Sequence, residues 1–592
     1  MYEVLKTINS PADVKKLNAE QLETLAEDIR EALFNRLTKI GGHCGPNFGI
    51  VEAEIAMHYV FDSPRDKFVF DVSHQSYPHK MLTGRKNGYI DDECFKDDSG
   101  YSNPEESEHD LFNIGHTSTS VSLASGLAKA RDLRGGKENV IALIGDGSLS
   151  GGEALEALNF AGSELKSNLI IIVNDNQQSI PEVHGGLYQN LTELRETKGT
   201  ATNNFFKAWG LDYIYEDNGN DIQAMIKVLQ KVKDIDHPIV VHINTKKGKG
   251  YKPAEDFKEA WHWCMPFDRT TGEAKVRFPA ESYTALTAQY IMNKAAKDKD
   301  FVVITPSMPA LGGLTPDMRA KLGKQYVDVC IAEEHAIAFA SGIAKAGGKP
   351  LVFTGSTFIQ RTYDQISQDV CINNNPVTIV LNFGSFDSLT DVTHLGIFTM
   401  AAFSTIPNLV ILAPTSKEEY LNMLDWAVDQ KEHPVMIMMP GNIVTSRPAD
   451  TDYSQINTFK VEQSGEKVAI LALGDFYQRG EELADKIKSE LGFTPTLINP
   501  RFASGVDEQL LTNLQQNHQL VITLEDGVLD GGFGQKVAAF YADKDVKVKA
   551  YGLKKEFYDR YNPQELLKQL GMTSEQIVAD IKKENIGRGK YA

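Results

Sequence analysis

Residues 141–179, IALIGDGSLSGGEALEALNFAGSELKSNLIIIVNDNQQS, decide the fold. A short apolar run turns through Gly145-Asp146-Gly147 into a segment of helical periodicity, and a second apolar run ends at Asn174-Asp175-Asn176. Short apolar runs bounded by Gly and Asn/Asp clusters are strands, so the stretch is a strand, helix, strand unit. Ligands of such units gather beyond the carboxyl ends of the strands, where both polar clusters sit, and the two are expected to meet in space. Asp146 offers a carboxylate there and Asn176 an amide oxygen. The flanking glycines, Gly145 and Gly147, let the backbone approach a ligand closely. Hard oxygen donors acting together with ligand phosphates are the usual way of holding Mg²⁺. A lone GDG is most often just a turn; the NDN cluster one strand later is what points to a site.

Outward from this unit the same alternation recurs. Residues 19–38 are helical in pattern and break at Gly41-Gly42-His43; residues 49–59 resume a helix; residues 67–72 are a strand ending at Ser73-His74-Gln75. Residues 96–110 are acidic and turn-rich. They lead to Asn113-Ile114-Gly115-His116-Thr117-Ser118-Thr119-Ser120, a glycine and hydroxyls before a helix, suited to face an anion. Residues 181–203 are polar with little periodicity and are expected to be a mobile surface segment. Strands at 213–215 and 238–244 follow, the second ending at Thr245-Lys246-Lys247-Gly248-Lys249-Gly250-Tyr251, and residues 254–267 read as a loop carrying Trp261-His262-Trp263. A second alternating region has strands at 301–304, 351–353, 377–381 and 409–412, and a third opens with a strand at 468–473. The fold class is α/β, in three domains of mostly parallel sheet flanked by helices, at 1–275, 280–442 and 456–592.

The 592 residues exceed what one hydrophobic core serves. Apolar content of 42% with 24% charged residues is that of a globular chain, not a disordered one. A net charge of −19 argues against a nucleic-acid or anionic-membrane partner, since both demand a basic face. No apolar run approaches the roughly 18 to 20 residues that span a bilayer, and MYEVLKTINSPADVKKL lacks a signal-peptide core, so a cytoplasmic location is expected. Cys44, Cys94, Cys264, Cys330 and Cys371 show no metal-site spacing and read as reduced thiols, Cys44 and Cys264 as buried filler.

The motifs GGHCGPNFG, FDVSHQSYPHKMLTGR, ESEHDLFNIGHTSTS, IGDGSLSGGEALEALN, NDN, KKGKGY, IAEEHAIAFASGIA, STFIQRTYDQ and GGFG follow in order over almost the whole chain. Together they resemble the 1-deoxy-D-xylulose-5-phosphate synthase family of transketolase-like thiamine diphosphate enzymes. The resemblance implies a homodimer, with each subunit divided into a diphosphate/Mg-binding domain, a pyrimidine-binding domain and a C-terminal domain. It implies a transferase with thiamine diphosphate and Mg²⁺ as cofactors, pyruvate and an aldehyde as substrates, an active site within one subunit, and a place in isoprenoid and thiamine biosynthesis. Carried over on matched motifs, Asp146, Asn176 and the Gln178 carbonyl would ligate Mg²⁺. Gly145, Gly147, Ser148, His74 and His116 would bind the cofactor, whose pyrimidine Glu333 would engage as the activating carboxylate while Phe358 stacks on it. His43, His262 and His394 would orient substrate and transfer protons, with Arg361 a further substrate contact. His58 and His79 read as structural, His79 as a cap on the Tyr77-Pro78 turn.

The chain also departs from the family pattern. The family arginine that grips the acceptor phosphate aligns with Phe383 in Asn382-Phe383-Gly384-Ser385, and a second one falls in Met439-Pro440-Gly441-Asn442, which has none. The tyrosine before Ser-Thr-Phe is Gly355, and the aspartate upstream of Thr393-His394 is Thr390. A basic residue before ESE is lost in Ser102-Asn103-Pro104-Glu105. Charge-assisted Arg–phosphate bonds contribute roughly 1.5 to 3 kcal/mol each, so two losses weaken a phosphorylated acceptor by about 3 to 6 kcal/mol unless Arg361, a lysine or backbone amides replace them. The leading expectation is decarboxylation of pyruvate with transfer of a two-carbon unit to an aldehyde, phosphorylated or not. Ketol transfer without CO₂ release and a non-catalytic thiamine diphosphate-binding paralogue are the competing expectations.

Overall fold

The computed structural model describes residues 2–276, 281–441 and 443–584. The expected domain limits at 280 and 442, Asn442 itself and residues 585–592 lie outside the described residues. The chain divides into two compact units, residues 1–278 with 330–332, and residues 279–329 with 333–592.

In the first unit the Val140–Gly145 and Leu169–Asp175 strands pair in parallel, with Gly145 opposite Asn174. They lie inside a five-stranded sheet ordered Lys67–Phe70, Val140–Gly145, Leu169–Asp175, Pro238–Asn244, Asp212–Glu216, parallel throughout. A parallel strand covered on both faces favours apolar residues on both, which is why Leu169–Val173 reads as a continuous apolar run within the wholly buried strand Leu169–Asp175. The faces separate with a period of two: Ile141, Leu143, Ile170 and Ile172 enter one core, Ala142, Ile144, Ile171 and Val173 the other.

Three expectations in this unit are corrected. Within 181–203 the chain forms the helix Gly186–Glu196, anchored by buried Tyr188, Leu191 and Leu194. Three apolar anchors among polar neighbours gave little periodicity, yet they suffice to dock one helical face. The short helix Lys252–Asp256 runs into 254–267 and is followed by Trp263–Cys264, which pairs antiparallel with Gly42–His43. His79 is not a turn cap: its Nδ1 lies 2.9 Å from His58 Nε2 and its Nε2 3.0 Å from an Asp110 carboxylate oxygen. Arg85 donates through both Nη atoms to Asp110, at 2.8 Å each.

The second unit contains two sheets. One is ordered Val410–Leu412, Val435–Met438, Thr378–Asn382, Lys349–Gly355, Phe301–Thr305, Tyr326–Asp328, all parallel. The other is ordered Lys460–Gln463, Thr496–Asn499, Lys467–Ala472, His518–Val528, Lys547–Leu553, parallel except for its first, edge strand. One apolar cluster draws on both sheets, taking Ile304, Ile379 and Ile411 from the first and Ala469, Leu471 and Val521 from the second. No helix among the described residues is long and apolar enough to cross a membrane. The five cysteines are free thiols, all but Cys94 buried.

Burial pushes the His79 imidazole down to about 4. An unfolded histidine takes up its proton near pH 6.5, so between there and pH 4 the unfolded chain binds more protons than the folded one and stability falls with pH. The full displacement corresponds to about 3 kcal/mol. His79→Gln lacks this penalty, so the gap in urea midpoint between wild type and H79Q should narrow as pH drops from 7.5 to 4.5. A gap independent of pH would refute the assignment.

Candidate active site

Four neighbouring strands of the first unit deliver polar residues at their carboxyl ends. After Phe70 comes Asp71, a buried carboxylate that accepts the N–H groups of Ser118 and Ser120 at 2.9 and 3.0 Å. These donors open the helix Ser120–Leu133, so its first turn is capped by the protein's own aspartate rather than left open to an anion.

After Gly145 comes Asp146, almost fully buried, with one carboxylate oxygen accepting the Gln178 N–H at 3.1 Å. Burial, reinforced by Asp175 nearby, pushes its pKa well up. At the end of the next strand the Asn176 Oδ1 is buried and has no hydrogen-bond partner. A desolvated carboxylate beside an unanswered amide oxygen is a donor set that calls for a hard cation, and Mg²⁺ with a phosphate-bearing ligand fits it. Gly145 faces open space, where a side chain would obstruct such a ligand. A Cβ at Gly147 would lie 2.8 Å from Ser179 Cβ, so the turn closes only without one.

The fourth strand leads to Lys247, fully buried, whose ammonium donates to the Ser179 carbonyl and lies 3.1 Å from His262 Nδ1. Burial pulls the Lys247 pKa down to about 7; burial and the adjacent Lys247 hold His262 well below its usual range. His43, His74 and His262 form a cluster with ring centroids 5.1, 5.3 and 5.7 Å apart, and Tyr101 stands 5.7 Å from His43. Asn47 holds the cluster together, donating Nδ2 to the carbonyls of both His43 and His74 at 2.8 Å. The ladder of Gly42–His43 with Trp263–Cys264 brings His262 alongside. His116 lies in the segment before the capped helix.

In the second unit Glu333 opens the helix Glu333–Lys345 and is buried. Burial raises its pKa, and Arg361, 3.5 Å away, partly offsets this. Phe358 stands edge-on to His394 at 5.5 Å. A Cβ at Gly355 would come within 2.8 Å of the Phe358 ring, which occupies the room that a larger residue there would take. His394 Nδ1 contacts Thr393 Oγ1 at 2.8 Å, and Asp391 accepts that threonine's N–H and hydroxyl, so a carboxylate one residue after Thr390 steadies the pair. Phe383 adopts a left-handed backbone, φ 61°, at the end of its strand.

A family model of 1-deoxy-D-xylulose-5-phosphate synthase matches residues 5–203 and 195–245; models of the transketolase pyrimidine binding domain and C-terminal domain match residues 281–445 and 457–577. The 1-deoxy-D-xylulose-5-phosphate synthase 1 of Geobacter sulfurreducens is 37% identical over 98% of this chain and 97% of its own length. That of Alkaliphilus oremlandii is 37% identical over 99% of each. The chain belongs to the 1-deoxy-D-xylulose-5-phosphate synthase family. A transketolase from Campylobacter jejuni is similar over 96% of this chain at 16% identity, with a TM-score of 0.43. As a member of the synthase family the protein is a transferase that uses thiamine diphosphate with a divalent metal such as Mg²⁺.

Sequence reasoning about this synthase-family chain missed several residues. Lys247 sits in the quoted KKGKGY motif, and its place just past a strand end was the available signal. Asn47 sits in the quoted GGHCGPNFG motif, whereas Tyr101 lies in none and its role depends on loops far apart in sequence. Tyr188 was hidden in the segment taken for a mobile surface; its buried hydroxyl lies 3.2 and 3.1 Å from the carbonyls of Asp146 and Gly147. A net hydrogen bond contributes about 1 kcal/mol, so Tyr188→Phe should raise the Kd for thiamine diphosphate with Mg²⁺ by about 5- to 10-fold, measured by titration calorimetry. An unchanged Kd would show that the hydroxyl does not brace the turn.

Proposed function

We propose that this chain decarboxylates pyruvate and joins the resulting two-carbon unit to an aldehyde, as the family reaction does in making 1-deoxy-D-xylulose 5-phosphate. The observation that carries it is the unanswered Asn176 Oδ1 beside the desolvated Asp146, a built place for a metal and a diphosphate. Asp146, Asn176 and the Gln178 carbonyl would hold Mg²⁺; Gly145, Gly147, Ser148, His74 and His116 would line the cofactor. When bound, thiamine diphosphate supplies the nucleophilic carbon and the electron sink for decarboxylation. The pyruvate C1–C2 bond breaks and CO₂ leaves. A new bond joins C2 to the aldehyde carbon, and the aldehyde oxygen takes up a proton.

The chain's residues do the rest. Glu333 holds and returns a proton at its carboxyl oxygen, and Arg361 keeps that carboxyl oriented. Phe358 offers a face for stacking. His43, His262 and His394 orient the substrates, His262 being a neutral donor or acceptor beside Lys247. The division at 1–275, 280–442 and 456–592 is part of this proposal, supported by the spans of the matching family models. So are a homodimer with the active site inside each subunit and a cytoplasmic setting, which suit an enzyme of isoprenoid precursor synthesis.

With Mg²⁺, thiamine diphosphate, pyruvate and an aldehyde, the purified protein should release CO₂, and chelation of the metal should stop it. Glu333→Gln should lower turnover by about 10²- to 10⁴-fold, the usual worth of a positioned acid or base, while cofactor binding persists. Full activity in the variant would remove Glu333 from the chemistry; the wild type forming a ketose without CO₂ would favour ketol transfer.

A further inference from the structure

The short ladder of the first unit sets Gly42 opposite Cys264 and His43 opposite Trp263. The Cys44 N–H extends it, donating to the His262 carbonyl at 3.2 Å, and the Cys264 thiol donates to the Gly42 carbonyl at 3.4 Å. Opposed residues of an antiparallel pair share a face, and so do alternate residues of one strand, which puts Cys44 and Cys264 diagonally on the same face. Their thiols meet there. The Cys264 thiol, ahead of burial, pushes that of Cys44 well above its ordinary range, and Tyr251 is pushed up to about 12 by burial and by both thiols. Cys44 is fully buried, whereas Cys264 is 7% exposed.

A lone buried cysteine is filler, but two thiols that meet have a covalent alternative. Cys44 directly follows His43 and leads into the helix Gly45–Val60, whose Asn47 clamps the carbonyls of His43 and His74; Cys264 follows His262 by two residues. We propose that Cys44 and Cys264 form an oxidative modification site, closed into a disulfide by a peroxide and reopened by a dithiol, which displaces His43 and His262 while it is closed. Cys264, the thiol with some exposure, attacks hydrogen peroxide; the O–O bond breaks, a sulfenic acid forms on Cys264 and water leaves. Cys44 then attacks the sulfenic sulfur, so that an S–S bond forms, the S–O bond breaks and a second water leaves. The two thiols lose two electrons and two protons, and the peroxide takes both. A disulfide holds its sulfurs at about 2.05 Å, well inside the contact distance of two thiols, so closure draws the segments together. There is little slack to absorb this, because a Cβ at Gly41 would already stand 2.5 Å from the Cys264 carbonyl oxygen and one at Gly45 3.1 Å from that of Trp261. The effect on turnover rests on the pyruvate-decarboxylating transfer proposed above; formation of the bond does not.

The test treats the holoenzyme with hydrogen peroxide, maps disulfides by mass spectrometry of an unreduced digest, and follows CO₂ release from pyruvate with an aldehyde before treatment, after it, and after dithiothreitol. The expected result is a peptide pair linking Cys44 to Cys264, with turnover lower by about tenfold or more and restored on reduction, since misplacing reacting groups by about 1 Å costs up to about 100-fold. Cys264→Ser and, independently, Cys44→Ala should match the reduced wild type and keep their turnover through the peroxide treatment. Absence of the linked pair overturns the site. A linked pair with full turnover, or an equal loss of turnover in Cys264→Ser, overturns its hold on the histidines. A linked pair in a protein that releases no CO₂ even when reduced upholds the modification site and sinks the decarboxylating reading.

Discussion

A carboxylate buried where it cannot be hydrated must be matched by positive charge or bear a proton, and Asp146 is in that position. Its surroundings in the first unit follow from that constraint. The strand end excludes water, Gly145 leaves space on the open side, the Gln178 N–H answers one oxygen, and Asn176 holds a second oxygen ready without a partner. The next aspartate along, Asp175, is managed oppositely. Burial would raise its pKa, but His242 and Arg195 pull it below the ordinary range. One aspartate is neutralised from within, while burial leaves the other with a raised proton affinity.

The second unit shows a related economy of charge. Glu333 has a single modest counterion in Arg361, so burial prevails and its proton affinity rises. Asp391 keeps a low pKa because Thr393 and His394 answer it against burial. These two carboxyls are thus poised differently by their neighbours, the first held above and the second below the usual carboxylate range.

The parallel sheets were legible because a doubly covered strand favours apolar residues on both faces and ends in polar turns; the strands at 301–304, 351–353, 377–381, 409–412 and 468–473 all lie within or beside observed ones. The carboxyl-end clusters at Asp146 and Asn176 were legible for the same reason, whereas His43, His74 and His262 were marked by the family motifs that carry them. What escaped depends on contacts remote in sequence. Tyr188 reaches the Asp146 turn across more than forty residues, Asn47 clamps two histidine loops, and His79 finds Asp110 rather than its own turn. Local pattern carries no record of such partners. The capping of residues 118–120 by Asp71 was equally invisible, since a glycine-and-hydroxyl lead-in looks the same whether it meets a ligand or a buried carboxylate.

The apolar cluster shared by the two sheets of the second unit bears on how this half of the chain is maintained and inherited. Ile304, Ile379 and Ile411 pack in the same continuous core as Ala469, Leu471 and Val521. Severing the chain in the 440–457 connection would expose apolar surface on both fragments, which would then favour reassociation or aggregation over independent existence. The two sheets are accordingly one cooperative folding unit. Recombination that exchanged one sheet without the other would have to match a buried surface as well as a linker, so these segments are bound to diverge together.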